Sequence, residues 1–229
     1  MNTMNYSAVI VAAGKGERSG LDYNKVLRPI HGKRVLRHAL DAFIQDPECT
    51  SITVVVSKAD YRVIQAELAA LVDHVVIGGK SRRESVGEGL KTVDTPYVFI
   101  HDAARPFVSK EVLSKLKETL RYYDAVSPAL PVPDTLKKIE NGMIVGDLER
   151  KDVVGLQTPQ AFTTYVIKEA HNLAKKENID APCDLTLASQ VGGVKGTVVD
   201  GDPRAMKYTH ARDLRLLELI LNDANRTQS

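Results

Sequence analysis

The chain has 229 residues, of which 43% are hydrophobic and 26% are charged, and its formal net charge at pH 7 is only +2. This length and composition are typical of an ordinary soluble α/β protein, with residues 1–229 forming a single domain. The small charge, with no block of Lys and Arg among aromatic residues, argues against nucleic-acid binding, and apolar runs no longer than a strand argue against a membrane span.

The first residues and the cysteines indicate the compartment. Residues 1–5 lack the charged and apolar regions of a signal peptide. Cys49 and Cys183 stand far apart in the sequence, with no C-x-x-C motif and no neighbouring pair of histidines. We therefore expect a cytoplasmic protein without a disulfide bond and without a zinc site.

Strand-like and helix-like segments alternate along the chain. The predicted strands are residues 6–12, 51–56, 74–77, 96–101, 125–131 and 196–200, and the predicted helices are residues 34–45, 59–72, 81–92, 109–122, 163–177 and 210–223. Several strands are continuous apolar runs, which indicates that helices cover both faces of the sheet. The predicted fold class is α/β, with three layers around a mostly parallel, Rossmann-like sheet. Ligands are expected beyond the carboxyl ends of its strands.

The first predicted strand leads into a glycine-rich loop. Gly14 and Gly16 allow backbone N–H groups to approach an anion closely, because no Cβ stands in the way. Lys15, Arg18 and Lys25 add more positive charge than a dinucleotide requires. The loop therefore predicts a triphosphate site, whereas the simpler interpretation is an ordinary polar connection between a strand and a helix.

Two familiar phosphate motifs are not matched by the sequence. In residues 14–20 the third glycine of G-x-G-x-x-G is displaced by one place, because Ser19 stands in its position. Residues 79–81 read Gly-Lys-Ser like the end of a P-loop, but His74 occupies the position of the first glycine. Neither a dinucleotide fold nor a P-loop enzyme is predicted.

Four further polar clusters are predicted at the same sheet edge, at residues 78–86, 101–106, 157–162 and 206–209. The first precedes a helix and suits a base edge or a phosphate. In the second, Asp102 ends a buried strand and suits a divalent ion bound to phosphates. The third is a polar turn before a helix, and the last adds the cation Lys207. Singly, each cluster also fits a helix cap or a solvated charge, but their joint placement favours a ligand site.

Residues 134–156 interrupt the alternation. Asn141-Gly142 lies between two apolar segments and is a strong β-hairpin signal. The hairpin is predicted to project from the sheet as an arm. We expect it to pair with a second copy of the chain in a homodimer, and the alternative is a hairpin folded onto its own domain.

The motifs resemble, in order and spacing, those of the 2-C-methyl-D-erythritol 4-phosphate cytidylyltransferase family over about residues 6–214. The matching segments are Ala12-Ala-Gly-x-Gly-x-Arg18, Asn24-Lys25, Gly78-Gly-x-x-Arg82-x-x-Ser85, His101-Asp-Ala-Ala-Arg-Pro106, Pro131-Val-x-Asp-Thr135-x-Lys137, Gln157-Thr-Pro-Gln-x-Phe162 and Lys207-x-Thr209. Ribitol-5-phosphate cytidylyltransferases share much of this pattern and remain the alternative. The segment at 131–137 and the chain length favour the methylerythritol enzyme.

The resemblance implies a nucleotidyltransferase that moves CMP from CTP to 2-C-methyl-D-erythritol 4-phosphate, with Mg²⁺ and as a homodimer through the arm. The implied catalytic residues are Arg18, Lys25 and Lys207. The implied nucleotide-binding residues are Ala12, Ala13, Gly14, Gly16, Gly79, Arg82 and Ser85. The implied acceptor-binding residues are Asp102, Arg105, Thr135, Arg150 and Thr158; Asp102 also helps to place the metal ion, and Thr135 and Arg150 come from the partner chain.

Three positions depart from the family pattern. Asn24 replaces the proline that usually precedes the lysine, and we expect little effect because Lys25 is kept. Residues 182–184 read Pro-Cys-Asp where Thr-Asp-Asp or Thr-Asp-Glu is common. Ala205 replaces an asparagine. The last two departures leave the identity of the acceptor less specified than nucleotide transfer itself.

Two functions from other classes are weaker interpretations. A glycosyltransferase would need an Asp-x-Asp metal motif after a central strand, and Asp102 has no acidic partner in that spacing. A non-catalytic nucleotide-binding protein gives no reason for the cations at Lys25 and Lys207. No set of Ser, His and Asp or of Cys and His suggests nucleophilic catalysis.

Overall fold

The structure is a computed structural model that describes residues 3–14 and 23–226, so the predicted loop residues Lys15, Gly16 and Arg18 lie outside the described residues. The strands are β1 (Tyr6–Val11), β2 (Pro29–Ile30), β3 (Lys33–Arg34), β4 (Cys49–Val56), β5 (His74–Ile77), β6 (Tyr97–Asp102), β7 (Ala125–Pro131), β8 (Leu136–Glu140), β9 (Met143–Leu148), β10 (Val154–Leu156), β11 (Gln160–Thr163) and β12 (Thr197–Asp200). The helices are α1 (Val35–Ile44), α2 (Tyr61–Leu68), α3 (Arg82–Leu90), α4 (Lys110–Thr119), α5 (Thr164–Glu177), α6 (Asp184–Gly192) and α7 (Leu214–Arg226).

Eight strands form one sheet in the order β10-β7-β11-β6-β1-β4-β5, with β12 also paired to β7. Strands β6, β1, β4 and β5 are parallel neighbours, so their carboxyl ends lie along one edge. Strand β12 is also parallel to β7, while β10 and β11 run antiparallel to their neighbours. The predicted α/β class with a mostly parallel sheet is confirmed.

Helices cover both faces of the sheet because successive strand residues point to opposite sides. In β1, Ala8 and Ile10 pack in one apolar cluster with residues of α1, α2, α4 and α7. Val9 packs in the second cluster with residues of α3, α5 and α6. The continuous apolar runs of the sequence therefore reflect two buried sheet faces, as predicted. Among helices within the described residues, none is long and apolar enough to cross a bilayer.

Several elements differ from the sequence prediction. Strands β2, β3 and β10 were not predicted, and β10, expected within the arm at residues 134–156, pairs with β7 in the main sheet. Residues 157–162 were expected to form a polar turn, but Gln160–Thr163 is strand β11, inserted between β6 and β7. The buried Gln160 side chain accepts a hydrogen bond from Leu185 N and donates one to Ser127 Oγ, which lets a polar residue occupy the sheet interior. Helix α6 was not predicted, and its start is bonded to this same glutamine.

The predicted hairpin is present as β8 and β9, which pair in a separate two-stranded sheet. Asn141 and Gly142 both have positive φ values, of 48° and 80°, as the tight turn requires. The strand residues Ile139, Met143 and Ile144 are 68%, 70% and 68% exposed. Within one chain, the hairpin therefore leaves apolar side chains uncovered.

The first testable prediction concerns the contact between α3 and the sheet. A Cβ on Gly89 would lie 2.5 Å from Val9 Cγ1 and 2.8 Å from Val55 Cγ2. Both valines are stiff, so we expect Gly89→Ala to lower the free energy of unfolding by about 1–3 kcal/mol, although alanine favours helices. Denaturant unfolding measures this change.

The matched control is Gly87→Ala in the same helix, where the nearest atom to a new Cβ is His171 Nδ1 at 3.7 Å. This substitution is expected to stabilise the protein by roughly 0.5–1 kcal/mol, because it removes a helical glycine without a clash. Equal effects of the two substitutions would contradict close packing at Gly89.

Candidate functional site

The carboxyl ends of the parallel strands bring several predicted motifs together. Ala103 N donates to Val11 O at 3.0 Å, so the segment after β6 lies beside the segment after β1. A Cβ on Gly78 would meet Ser85 Oγ at 2.7 Å and Ala13 Cβ at 2.9 Å, so the segment after β5 joins them. We call this region the strand-end site. It comprises residues 12–13, 24–25, 78–85, 101–105, 157–158 and 204–208.

Asp102 lies at the centre of the strand-end site, buried and bound by two cations. Lys207 Nζ donates to Asp102 Oδ2 at 2.5 Å, and Arg82 Nε donates to Asp102 Oδ1 at 3.2 Å. Burial alone raises the pKa of this carboxyl, but Arg82 and Lys207 outweigh burial and hold the pKa well below its ordinary value. Asp102 is therefore an anion throughout the physiological range, and it joins α3 to the segment before α7.

A second buried carboxylate holds the other side of Arg82. Asp184 Oδ2 lies 2.7 Å from Arg82 NH1, and Asp184 Oδ1 lies 3.5 Å from His171 Nε2. Burial raises the pKa of Asp184, but Arg82 and His171 reverse this effect, so the pKa is lowered. The guanidinium is thus oriented from both ends. This leaves the predicted nucleotide-binding role of Arg82 a prediction.

His101 and Thr158 form a hydrogen-bond relay behind Asp102. His101 Nε2 lies 2.9 Å from Arg105 O, which only accepts, so this nitrogen carries the proton. His101 Nδ1 therefore accepts from the Thr158 hydroxyl at 3.0 Å, and Thr158 Oγ1 accepts from Asp102 N at 3.1 Å. The Thr158 hydrogen is engaged by His101 within this chain, and its predicted contact with the acceptor remains a prediction.

Burial lowers the pKa of His101 to about 4, and the relay requires the neutral ring. The imidazole is completely buried, so the protonated form would lose hydration without gaining an anionic partner of its own. The histidine of this motif therefore serves as a neutral structural element and not as a general base.

The segment before α7 is fixed to the strand-end site by hydrogen bonds. Arg105 NH1 donates to Ala205 O at 2.6 Å, and Tyr208 N donates to Ala104 O at 2.7 Å. Ala205 contributes only its carbonyl, so the replacement of asparagine leaves this contact intact. Lys207 is thereby held beside Asp102.

Lys25 comes from a different segment of the chain and lies near Tyr208. It begins a 3-10 helix, Lys25–Leu27, and is 9% exposed. Its Nζ lies 5.8 Å from the ring centroid of the buried Tyr208, a cation–π contact. The sequence predicts a loop here and not this short helix, which Asn24 caps through its side chain. Two lysines thus reach the region from different segments.

The start of α3 forms the third side of the site. Ser81 caps the helix by accepting from Glu84 N at 3.1 Å, and Ser85 Oγ donates to Ser81 O at 2.8 Å. A Cβ on Gly79 would lie 2.3 Å from Glu84 Cβ, so only glycine fits there. Glycine at positions 78 and 79 therefore allows the segment after β5 to pack closely against α3 and Ala13.

Two predicted acceptor-binding residues lie elsewhere in the chain. Thr135 and Arg150 belong to the hairpin segment, and both are exposed. Arg150 NH1 donates to Pro133 O at 2.9 Å, a contact local to that segment. Within the described residues of one chain, these two side chains have no hydrogen bond to the strand-end site. Arg18 and Gly16 lie outside the described residues.

The donor set is compatible with the predicted Mg²⁺. Asp102 supplies a hard oxygen ligand, and each of its oxygens retains a lone pair after binding one cation. The described residues contain no group of three or more His, Cys, Asp or Glu side chains placed to hold a metal ion. A site of this kind binds Mg²⁺ through one carboxylate together with phosphate oxygens and water.

Sequence reasoning missed the roles of Asp184, His101 and Asn24. In the sequence Asp184 is only part of a departure from the family pattern, yet in the structure it contacts Arg82. The neighbouring Cys183 Sγ caps α6 by accepting from Thr186 N at 3.5 Å. An acidic residue just before an apolar helical run is the one signal that could have found it. The roles of His101 and Asn24 depend on hydrogen bonds to residues that become neighbours only in the folded chain.

Comparisons with known proteins agree along nearly the whole chain. The sequence model of the family described as 2-C-methyl-D-erythritol 4-phosphate cytidylyltransferase matches residues 6–223. A protein of that name from Halalkalibacterium halodurans is 36% identical over 229 residues, covering 97% of this chain and 100% of the relative.

Solved structures agree as well. The 4-diphosphocytidyl-2C-methyl-D-erythritol synthase of Anaerococcus prevotii superposes with a TM-score of 0.84 at 28% identity, covering 96% of this chain and 100% of that one. The 2-C-methyl-D-erythritol 4-phosphate cytidylyltransferase of Thermus thermophilus superposes with a TM-score of 0.79 at 30% identity, covering 93% and 98%.

The second testable prediction concerns pH. Because the pKa of His101 falls from 6.5 to about 4 on folding, the unfolded chain binds its proton first as the pH drops. The stability from burying the neutral ring is complete above pH 6.5 and is lost as the pH falls towards 4, by roughly 3 kcal/mol in total. Denaturant unfolding at several pH values measures this loss.

In His101→Gln the free energy of unfolding should fall less steeply over the same pH range. His74→Gln, a substitution at an exposed ring, is the matched control and should retain the slope of the original protein. If His101→Gln retains the full slope, the neutral relay is not the source of the pH dependence.

Proposed function

The chain belongs to the 2-C-methyl-D-erythritol 4-phosphate cytidylyltransferase family, and we propose that its strand-end site transfers CMP from CTP to 2-C-methyl-D-erythritol 4-phosphate. Membership makes the protein a CTP-dependent nucleotidyltransferase. The observation that supports this location best is the buried Asp102 carboxylate between Arg82 and Lys207 at the end of β6. The products are 4-diphosphocytidyl-2-C-methyl-D-erythritol and pyrophosphate.

In the proposed reaction, a phosphate oxygen of the acceptor attacks the α-phosphorus of CTP. The new P–O bond forms as the bond from the α-phosphorus to the bridging oxygen breaks, and pyrophosphate leaves with that electron pair. A phosphomonoester is already an anion at neutral pH, so the nucleophile needs no general base. This agrees with the neutral, fully bonded state of His101.

The main barrier is the approach of two anions, and cations lower it by stabilising charge on the α-phosphoryl oxygens. We assign this role to Lys25 and Lys207, together with Arg18 from the glycine-rich loop. Lys207 is held by Asp102, and Lys25 is held against Tyr208, so both charges are preorganised. Arg105 would contribute to binding the acceptor phosphate.

Mg²⁺ belongs to the same proposal. Asp102 would hold the ion together with the triphosphate, and the bound ion would neutralise charge on the phosphate oxygens. Lys207 bonds to the same carboxylate, so its ammonium group would add positive charge beside the ion.

The cytosine and ribose would bind along the backbone of residues 12–14 and 78–79. Gly79 is exposed and has no side chain, and Ala13 presents only a methyl group. Main-chain N–H and C=O groups can read the edge of a pyrimidine by hydrogen bonding. Ser85 would support this surface through its bond to the helix start, and its own contact with the nucleotide remains part of the proposal.

The hairpin is proposed to pair with a second copy of the chain. Among its strand residues, the exposed apolar side chains are Ile139 (68%), Met143 (70%), Ile144 (68%) and Val145 (51%). A two-stranded hairpin is marginally stable alone, and an exposed apolar patch of this kind is typical of a contact surface. In the homodimer, Thr135 and Arg150 would reach the acceptor site of the partner.

The third testable prediction concerns the acceptor. We expect pyrophosphate release from CTP with Mg²⁺ and 2-C-methyl-D-erythritol 4-phosphate, and much slower release with ribitol 5-phosphate or glycerol phosphate. A chelator should abolish the reaction, because the triphosphate then lacks its counter-ion. Faster turnover of ribitol 5-phosphate would transfer the assignment to the alternative acceptor.

The fourth testable prediction concerns the shared site. Lys25→Ala should lose roughly a hundred- to a thousandfold in kcat, as expected for the loss of one preorganised charge. Arg150→Ala should raise KM for the polyol phosphate far more than KM for CTP, because it loses a bidentate phosphate contact. Steady-state kinetics with each substrate varied in turn distinguish these effects.

Mixing the two variants tests whether Arg150 acts in trans. A heterodimer of Lys25→Ala with Arg150→Ala contains one site with both intact residues. Random pairing should therefore restore about one quarter of the original activity. Lys151→Ala, a change in the same exposed 3-10 helix, is the matched control and should have little effect on KM. Subunit exchange without recovered activity would rule out the shared site.

A further inference from the structure

Both polar atoms of the Asn24 side chain form hydrogen bonds. It is 7% exposed. Its Nδ2 donates to Ala12 O at 2.8 Å and to Asp60 Oδ2 at 3.1 Å, and its Oδ1 accepts from Val26 N at 3.3 Å. The two acceptors and the one donor fix the orientation of the amide.

These bonds connect three separate segments. Ala12 follows β1, Val26 lies in the 3-10 helix that begins at Lys25, and Asp60 precedes α2. Asp60 is itself held in place, since its Oδ2 accepts from Ser57 Oγ at 2.8 Å and its N donates to the same oxygen at 3.1 Å. The Asn24 amide therefore bonds to a carboxylate whose own position is fixed.

The backbone of Asn24 is also constrained, with φ −62° and ψ 115°. Leu27 N donates to Asn24 O at 2.9 Å, so the 3-10 turn starts from this residue. A φ of this size is the value that a proline ring imposes. The hydrogen bonds of the side chain thus hold a conformation that a covalent ring would also provide.

We propose that Asn24 is a positioning residue for nucleotide transfer: its amide holds the Lys25 turn at a fixed place relative to the Ala12 main chain. The inference rests on the proposed function, in which Lys25 binds the triphosphate and Ala12 lines the nucleoside surface. Without the amide, the hydrogen bond from Asn24 to Ala12 O is lost, and the Lys25 ammonium group loses its alignment with the α-phosphate.

The test compares three substitutions at one position. Asn24→Ala removes all three bonds, and we expect kcat to fall by about ten- to a hundredfold, because displacement of a catalytic group by about 1 Å has this effect. Asn24→Asp keeps the shape but directs an oxygen at two acceptors, and should be at least as slow. Asn24→Pro restores φ but not the bond to Ala12 O, so it should recover only part of the kcat that Asn24→Ala loses.

The partner side gives an independent variant. Asp60→Ala removes one of the two Nδ2 contacts and leaves the bond to Ala12 O, so the loss of kcat should be smaller than in Asn24→Ala. Asn172→Ala is the matched control, since that amide bonds only to Glu169 on an exposed helix face. Melting temperatures of all variants are measured so that kcat is compared well below unfolding.

The outcomes separate positioning from stability and from the proposed function. Incomplete recovery of kcat in Asn24→Pro together with a graded loss in Asp60→Ala supports the inference, and the loss in Asn24→Ala should appear in kcat more than in KM for CTP. Asn24→Ala with kcat within about twofold of the original protein overturns it, as does full recovery of kcat in Asn24→Pro, which lacks the bond to Ala12 O. Failure of the original protein to release pyrophosphate refutes the proposed function instead.

Discussion

The buried carboxylate of Asp102 is the interaction on which the strand-end site depends. It neutralises Arg82 from α3 and Lys207 from the segment before α7, and its own backbone N–H bonds to Thr158. Three parts of the chain that lie far apart in sequence are therefore held by one anion at the end of the central sheet. Removing that charge would leave Lys207 without this counter-ion and Arg82 with Asp184 alone, which is costly in a buried setting.

These ion pairs also explain how several cations can lie close together in the site without destabilising the fold by repulsion. Arg82 is balanced by Asp102 and Asp184, so it supports the structure and adds little net charge. Lys25 rests against the face of Tyr208. Negative substrates would thus meet a surface whose cations are already oriented, and little reorganisation would be required when they bind.

Much of the fold could be predicted because its signals are local. The apolar runs of the strands and the Asn141-Gly142 turn each determine structure within a few residues, and the family resemblance rests on contiguous motifs. Strand β11 was missed because four residues with a buried glutamine give no clear periodicity. The contacts of Asp184 and Asn24 were missed because each links residues whose proximity is decided by the topology, and Asn24 was interpreted as a neutral replacement.

Gly89 packs closely against the sheet, and this packing limits how far helix α3 can move when the site is redesigned. Helix α3 is fixed near its end by Val9 and Val55, and near its start by the bond between Arg82 and Asp102. A larger acceptor therefore cannot be accommodated by shifting this helix. Space has to come from the segment at 202–208, which is held by hydrogen bonds such as Gln157 Nε2 to Asp202 O. Libraries that aim at new polyol phosphates should vary that segment except Lys207 and leave α3 unchanged.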